Sequence, residues 1–426
     1  MSQTRFARLL AAEGVSNFGS MLSRLAVPWW AALGLGATPL QMSALLVADV
    51  LASALGGVLM AGWVDRHPKR RTMRACDGLR ALLFGGLAAC VWLGVGSMEL
   101  LVAAAGLNGL LTAGFELSRS AWVAQQVPPE ELPRRNAQLS ATGSLTETLA
   151  FALGGWLYQA LGAALALLVD ALSFLVSALC LRGVAETPGV PPAAAPPVPR
   201  PGSQAMQALQ TVWADASAGL HRVARHPGLR VLAAAEVLLA AGGGLFGTCF
   251  MIFVTRDLGL ATGPLGLVFA MGGLGALLGA WAAPAAGRRW GAGVAMAAGL
   301  GLMTLGHACV PLAPWAAGMG AGPAAALVML VLHQLVGDGG QVLHDIHDRT
   351  LRQTLVRPDQ LAQADAGIRL AGQLSMLAAA LAGGLVGDAL GVRPVLALAV
   401  ALSGAAAVLV LARRSVLRAP GPVSSS

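Results

Sequence analysis

Charge is scarce in this chain. Only 11% of its 426 residues are Asp, Glu, Lys or Arg, against 56% that are hydrophobic, whereas a soluble domain carries about 25% charged residues. A water-soluble fold of this length would have too little polar side chain to cover a surface that grows with mass. An ordinary soluble enzyme is therefore excluded, and lipid must cover the outside. Lysine is reduced to Lys69 and tyrosine to Tyr158. No G-x-x-x-x-G-K-[ST] sequence is present, which argues against ATP hydrolysis by this chain. The cysteines, Cys76, Cys90, Cys180, Cys249 and Cys309, stand singly in apolar runs without a C-x-x-C pair or metal-ligand spacing, and read as small core residues. Aromatics at 5% argue against a rich aromatic cage for a cation. No nucleophile with its base, no His-Glu-x-x-His and no paired carboxylates of recognisable spacing emerge, so neither an enzyme nor a cofactor is expected.

Long apolar runs take the place of what is missing. Crossing roughly 30 Å of hydrocarbon needs about 20 apolar residues in a helix. Such spans are expected near 9–33, 40–62, 74–95, 98–120, 138–159, 161–182, 229–254, 262–286, 291–312, 322–344, 364–386 and 391–413. The first extends past Trp30 without a convincing cleavage site and reads as a retained span, not a signal peptide. The fold class expected is an all-α integral membrane protein of twelve transmembrane helices.

A net charge of +8 on a soluble domain would suggest nucleic acid, but here it reads as topology. Basic residues gather at Arg5 and Arg8, Arg66 to Arg74, Arg119 to Arg135, Arg182 to Arg230, Arg288 and Arg289, Arg349 to Arg357 and Arg413 to Arg418, while the opposite face has only Arg256 and Arg393. Positive loops resist translocation, which assigns both termini to the cytoplasm of a bacterial-type inner membrane. No nucleic-acid partner is expected.

Four segments follow. Residues 1–182 form a first six-helix bundle, 183–228 a cytoplasmic linker, 229–414 a second bundle and 415–426 a tail. The linker opens with the proline-rich stretch Pro188 to Gly202, a hinge that suits neither helix nor sheet interior. Leu209, Val212, Trp213, Ala216, Leu220 and Val223 then recur at three-to-four spacing, as in an amphipathic helix on a membrane surface. The halves repeat: Pro129-Glu130-Glu131-Leu132 with Asn136-Ala137 align on Pro358-Asp359-Gln360-Leu361 with Asp365-Ala366 at an offset of 229, which also carries Gly154-Gly155 onto Gly383-Gly384 and Gly162 onto Gly391. Two parallel six-span repeats are the expected outcome.

Between the second and third spans stands Gly62-Trp63-Val64-Asp65-Arg66-His67-Pro68-Lys69-Arg70-Arg71. It resembles the G-x-x-x-D-R-x-x-R-R loop of the major facilitator superfamily, in the loop where that family has it. Further matches, Asp77-Gly78-Leu79-Arg80, Asp170-Ala171-Leu172-Ser173-Phe174 and His226-Pro227-Gly228-Leu229-Arg230, look like the branch of enterobactin exporters and macrolide efflux proteins. The second-half counterpart of the loop is reduced to Gly287-Arg288-Arg289, without an aspartate. The resemblance implies a conformational latch of Gly62, Asp65, Arg66, Arg70 and Arg71, with Glu116 and Arg119 as partners of the loop. A positive-inside anchor alone is the blander reading, but it needs neither the aspartate nor the glycine.

Ionisable groups inside spans cost about 2.5 to 3.5 kcal/mol at the bilayer centre, so each needs a partner or a purpose. Glu13, Asn17, Ser20 and Arg24 share one face of the first span. The resemblance implies that the first, fourth, seventh and tenth spans line a central cavity, making these residues, with Asn108, Glu236, His333 and Asp338, candidates for substrate contact. A closed polar network is equally open for the Glu13 stripe. Asp49 and Glu147 lie in the second and fifth spans, where removal from water favours an uncharged carboxyl, and are candidates for proton coupling. A structural pairing, for Asp49 with Arg24, is at least as open.

Asp77 and Arg80, three residues apart, are placed to neutralise each other, and Asp170 to make a structural hydrogen bond. His344 and Asp348 have ligand spacing without a third ligand, so no metal is expected and a solvated helix end is the plainer reading. The function expected is proton-coupled export of a small amphipathic molecule by a monomer. The partners are that molecule, protons and the bilayer. An importer on the same fold and a non-transporting sensor remain the alternatives.

Overall fold

The computed structural model describes residues 3–183, 201–316 and 322–417. The hinge expected at Pro188 to Gly202 lies, up to residue 200, outside the described residues, as does the tail beyond residue 417. Among the described residues every regular element is helical: α1 (Gln3–Trp29), α2 (Pro39–Arg66), α3 (Lys69–Trp92), α4 (Met98–Gln126), α5 (Leu132–Cys180), α6 (Pro201–Arg225), α7 (Pro227–Ile252), α8 (Thr262–Trp290), α9 (Ala292–Ala316), α10 (Gly322–Leu355), α11 (Pro358–Leu390) and α12 (Val392–Ala412). Ten stretches among them are long and apolar enough to cross a membrane. One is the region Pro129–Gly183, which contains two spans. α1 is less apolar because the Glu13, Asn17, Ser20 and Arg24 stripe occupies one face. The count is thus twelve spans with α6 outside it.

The fifth and sixth spans were expected as separate helices over 138–159 and 161–182. They are two helices, here the two arms of α5, that meet at a kink at Gly162, whose φ of 74° and ψ of 175° are not helical. An L side chain is strained at such a φ, and glycine is not. Gly391, its counterpart at the 229-residue offset, has φ 86° and ψ 168° and separates α11 from α12. A second correspondence runs at an offset of 223. A π-helical turn at Trp30–Gly34 follows α1 and one at Phe253–Asp257 follows α7, with Gly36 and Gly259 behind them at φ 65° and 61°. The repeat is therefore one of backbone geometry as well as residue type.

Unit 1 comprises Met1–Ala37, Ala44–Gln210 and Ala261–Gly266, and unit 2 comprises Thr38–Ser43, Thr211–Leu260 and Leu267–Ser426. In unit 1, α1 packs along α5, and α3 packs against α4 and α5. Phe6, Leu9, Met73, Phe115, Trp122 and Leu181 form a buried cluster there. In unit 2, α9 lies along α10, and α7 contacts α11 and α12. Leu229, Leu232, Met296, Leu300, Ile368 and Val410 make its core. Asp388 of α11 accepts from the Leu40 N–H and the Thr38 Oγ1 at 3.2 Å each, capping the first turn of α2. Leu82, Trp92, Leu277, Trp281 and Val408 are exposed, a surface suited to lipid and not to water.

α6 carries its apolar stripe into unit 2. Ala216 and Val223 are buried, Arg222 reaches Gln363 at 3.2 Å, and Gly219 lies against the backbone of Gln363 and Gly367. Trp213 and Leu220 of the same stripe remain exposed.

Candidate functional site

Unit 1 holds a cavity of about 610 Å³ between α1, α4 and the first arm of α5. Its lining follows helical periodicity. Glu13 and Asn17 come from α1, Glu116, Arg119, Ser120 and Val123 from α4, and Leu132, Asn136, Leu139, Ser140 and Gly143 from α5. Polar and charged groups dominate, with a few apolar side chains between them. Glu13 is only 4% exposed, and its Oε1 meets Arg119 Nη1 at 3.1 Å. Arg119 also pairs with Glu116 one turn before it. Glu13 Oε2 and Arg119 Nε are buried without a hydrogen-bond partner.

This geometry corrects one expectation. Glu116 and Arg119 are expected as partners of the Asp65 loop, yet Arg119 pairs with Glu116 and with Glu13. The face of α4 that carries them turns toward α1. In the loop itself, Asp65 and Arg66 are exposed at the end of α2, Arg71 is exposed, and Gly62 and Arg70 are half-buried. Arg70 donates to the Arg182 carbonyl at 3.5 Å. The loop's anchor is Lys69, which no expectation singled out as structural. Buried at 6% exposure, it donates to the carbonyls of Val64, Asp65 and His67 at 2.5, 3.1 and 3.3 Å. A cation on the last carbonyls of α2 satisfies groups the helix leaves open.

Deeper in unit 1, α3 and the second arm of α5 enclose a charged network. Asp77 and Asp170 are fully buried, and Arg80 is nearly so. Arg80 Nη1 stands 3.7 Å from Asp77 Oδ1, the pairing expected from their spacing. Ser177 Oγ donates to Asp77 Oδ2 at 2.7 Å. Arg80 also lies over the rings of Phe115 and Phe174, 5.6 and 5.0 Å from their centroids.

The remaining candidates in unit 1 are dispersed. Ser20 and Asn108 are half-buried, and the Asn108 carbonyl accepts from Thr112 at 2.7 Å. Arg24 and Asp49 are exposed on the surface of unit 1, and Arg24 is the charge that acts on Asp49. Glu147 is exposed on α5.

In unit 2, Glu236 of α7 belongs to a cluster around Arg352. The guanidinium meets Asp348 at 2.7 Å, Glu236 at 3.4 Å and Asp365 at 3.5 Å. His333 is buried, its Nδ1 within 3.2 Å of the Gly306 carbonyl, and its ring packs with His307, Phe246 and Phe250. It is a packing element of α10 more than a wall of an open space. Asp338 is half-buried with its carboxylate over Gly272 of α8, in room that any β-carbon there would fill. His344 lies 3.9 Å from Asp345, and no group of three metal-ligating side chains occurs among the described residues.

Stacked apolar helices, a repeat in two units and a polar cavity in the first define a polytopic solute-handling membrane protein. The Major Facilitator Superfamily model matches residues 9–343, and the chain belongs to that family. No curated protein matches it. Among solved structures it is similar to a bacterial homologue of the iron transporter ferroportin, with a TM-score of 0.72, 19% identity, and 97% of this chain and 99% of that one covered. It is similar to the nucleoside transporter NupG, with a TM-score of 0.71, 14% identity and coverage of 98% and 100%. A bacterial homolog of the human lysosomal transporter Spinster gives 0.67, 15%, 99% and 100%. These likenesses establish the fold.

Proposed function

We propose that this chain is a secondary active transporter, driven by protons, that exports a small amphipathic molecule across a bacterial inner membrane. In this reading it works as a monomer with both termini in the cytoplasm. The observation that carries the proposal is the 610 Å³ polar cavity of unit 1, with the Glu13–Arg119 ion pair in its lining. A cargo that offers a donor to the carboxylate and an acceptor to the guanidinium competes for that pair. Asn17, Ser120, Asn136 and Ser140 supply further hydrogen bonds. Such a wall favours molecules with a polar edge, among them macrolides, siderophores and polar drugs, over bare hydrocarbon.

Alternating access supplies the cycle, with the Asp65 loop as its latch. Asp49 and Glu147, at the surface of unit 1, are the accessible carboxylates that exchange protons. Asp49→Asn is expected to weaken gradient-driven flux several-fold and leave membrane insertion unchanged. Unaltered proton dependence in that variant contradicts its role.

Purified protein in sealed vesicles tests the proposal, with an imposed pH gradient and three radiolabelled probes: a macrolide, a catecholate siderophore and a lipophilic cationic dye. Flux of one probe that follows the gradient supports it. Flux down the opposite sense makes the chain an importer, and none for any polar solute favours a sensor. Reporter fusions placing the Asp65 and Arg288 loops in opposite compartments would overturn the topology.

A further inference from the structure

Two joints in the repeat stand on matching positions and are held in different ways. Offsets of 223 and 229 carry Leu40 to Gly263, Ser43 to Gly266, Gly155 to Gly384 and Gln159 to Asp388. In unit 2 the first turn of α2 rests on α11, where Asp388 accepts from the Leu40 N–H and Thr38 Oγ1, and Gly384 faces Leu40 and Ser43. In unit 1 the first turn of α8 rests on the first arm of α5. There Gln159 Oε1 accepts from the Gly263 N–H at 2.9 Å, and Gly155 faces Thr262, Gly263 and Gly266. Thr38–Ser43 counts with unit 2 and Ala261–Gly266 with unit 1, while the rest of α2 and of α8 counts with the other unit. Each helix thus passes from one unit to the other just after its joint.

The α2 joint is built to part. Thr38-Pro39-Leu40-Gln41 caps its own helix: the Thr38 N–H donates to Gln41 Oε1 at 3.0 Å, and the Gln41 N–H to Thr38 Oγ1 at 3.3 Å. Ser43 Oγ turns back to the Leu40 carbonyl at 2.7 Å. Thr38, Leu40 and Asp388 are exposed, so water replaces the carboxylate on the Leu40 N–H at small net cost. The α8 joint is dry. Thr262, Gly263 and Gly266 are buried, and Thr262 Oγ1 reaches the Gly155 carbonyl at 3.4 Å. A β-carbon on Gly155 would strike the Thr262 and Gly263 carbonyls, and one on Gly266 would strike the Gly155 backbone, so the two helices meet backbone to backbone. Parting them strips the buried Gly263 N–H of its acceptor and gives up that contact.

We propose that the two joints are unequal by design: α5 and α8 stay joined through the cycle as its pivot, while α2 and α11 part to open the chain on one side. Asp388 and its self-capped partner turn form the releasable joint, and the Gly155–Gly266 crossing with Gln159 forms the standing one. Gly143 lines the cavity of unit 1, and Gln159 lies about 24 Å further along the same arm at 1.5 Å per residue. The pivot therefore sits at the end of α5 remote from that cavity. The role in transport rests on the transporter reading, while the unequal hold of the joints is a property of the resting chain.

Cys249 of α7 reports on the α2 joint without any cargo. It is fully buried, and a β-carbon on Gly387 of α11 would meet Pro39 of α2 on one side and Cys249 Sγ, at 3.4 Å, on the other. The full chain in lipid nanodiscs is treated with a polar maleimide, and labelling of Cys249 is followed by mass spectrometry. Asp388→Ala is expected to speed that labelling about fivefold or more with little change in thermal unfolding. Gln159→Ala should leave labelling within about twofold and lower the unfolding temperature, since a buried N–H loses its acceptor. Equal labelling in the two variants, or faster labelling only in Gln159→Ala, overturns the proposal. Cross-links then fix each joint, in a background with the native cysteines replaced by alanine. Thr38→Cys with Asp388→Cys, joined by a reducible bis-thiosulfonate, should lose gradient-driven flux about tenfold and regain it on reduction. Gln159→Cys with Gly263→Cys, joined likewise, should keep at least about half. Loss in both pairs, or only in the second, overturns the division. Should a cysteine pair not fold, the Cys249 labelling still decides. Absence of flux in the uncrosslinked wild type, with labelling as expected, instead removes the transport reading and leaves the unequal joints standing.

Discussion

Glu13 with Glu116 and Arg119 in unit 1, and Glu236 with Asp348 and Arg352 in unit 2, occupy matching helices and carry different charge. The 223-residue offset takes Glu13 to Glu236. The 229-residue offset takes Glu116 to Asp345, Arg119 to Asp348 and Asn136 to Asp365, and it is Val123 that matches Arg352. In unit 2 an acid therefore stands where unit 1 has its arginine, another where it has an asparagine, and the cation has moved one turn along the helix. The consequence is geometric. Arg352 is surrounded by carboxylates at 2.7, 3.4 and 3.5 Å, which ties α7, α10 and α11 together. Arg119 holds two carboxylates beside a cavity. One frame has been spent on a clamp and the other left open for a ligand.

The comparison is easiest to break at the acids of α1 and α7. Glu13→Gln is expected to lower gradient-driven flux about tenfold or more, the cost of one charge-assisted contact of about 1.5 to 3 kcal/mol. Glu236→Gln should change flux by less than about twofold, since Asp348 still holds Arg352 at 2.7 Å. Similar losses in the two variants would erase the distinction. Arg352→Gln should act on stability, lowering it by about 1 to 3 kcal/mol as its carboxylates lose their shared cation. Thermal unfolding in detergent reads this.

Gly162→Ala and Gly391→Ala sharpen the shared part of the frame. Each places a side chain at positive φ and is expected to cost about 1 to 2 kcal/mol. Matching costs in thermal unfolding fit one ancestral bend used twice, and a cost at Gly162 alone does not. The smallest effect is expected of Asp365→Asn, which gives unit 2 the residue of unit 1 at that place. Half-exposed, Asp365 contributes within about 0.5 kcal/mol, and a larger loss in unfolding experiments would mean that the clamp needs all its acids.

Much of this frame is legible in residue order, and particular elements show where legibility stops. Apolar runs fix twelve spans because hydrocarbon thickness sets a length, and glycine at 162 and 391 announces the bends because only glycine is at ease there. The two arms of α5 meet at the first of these bends, as α11 and α12 meet at the second. Periodicity put Glu13 and Asn17 on one face of α1, and Glu116 and Arg119 close together on α4. It does not say which face looks at which helix, and that is why the α4 pair was assigned to the Asp65 loop. Ser120, Asn136 and Ser140 are individually unremarkable polar residues. Their recurrence at helical spacing along α4 and α5 was the available signal, and only packing brings them to one cavity. Asp170 was legible as a structural hydrogen-bonding group, but its partner Ser173, 3.2 Å from Oδ1, needs coordinates.

The central claim is that unit 1 opens its polar cluster to cargo while unit 2 closes its own. The most direct measurement compares Arg119→Gln with Arg352→Gln, each reconstituted in sealed vesicles and normalised to folded protein, for flux driven by an imposed pH gradient. The account predicts flux reduced about tenfold or more in Arg119→Gln and largely retained in Arg352→Gln. Retained flux in the first variant, with loss in the second, would contradict it.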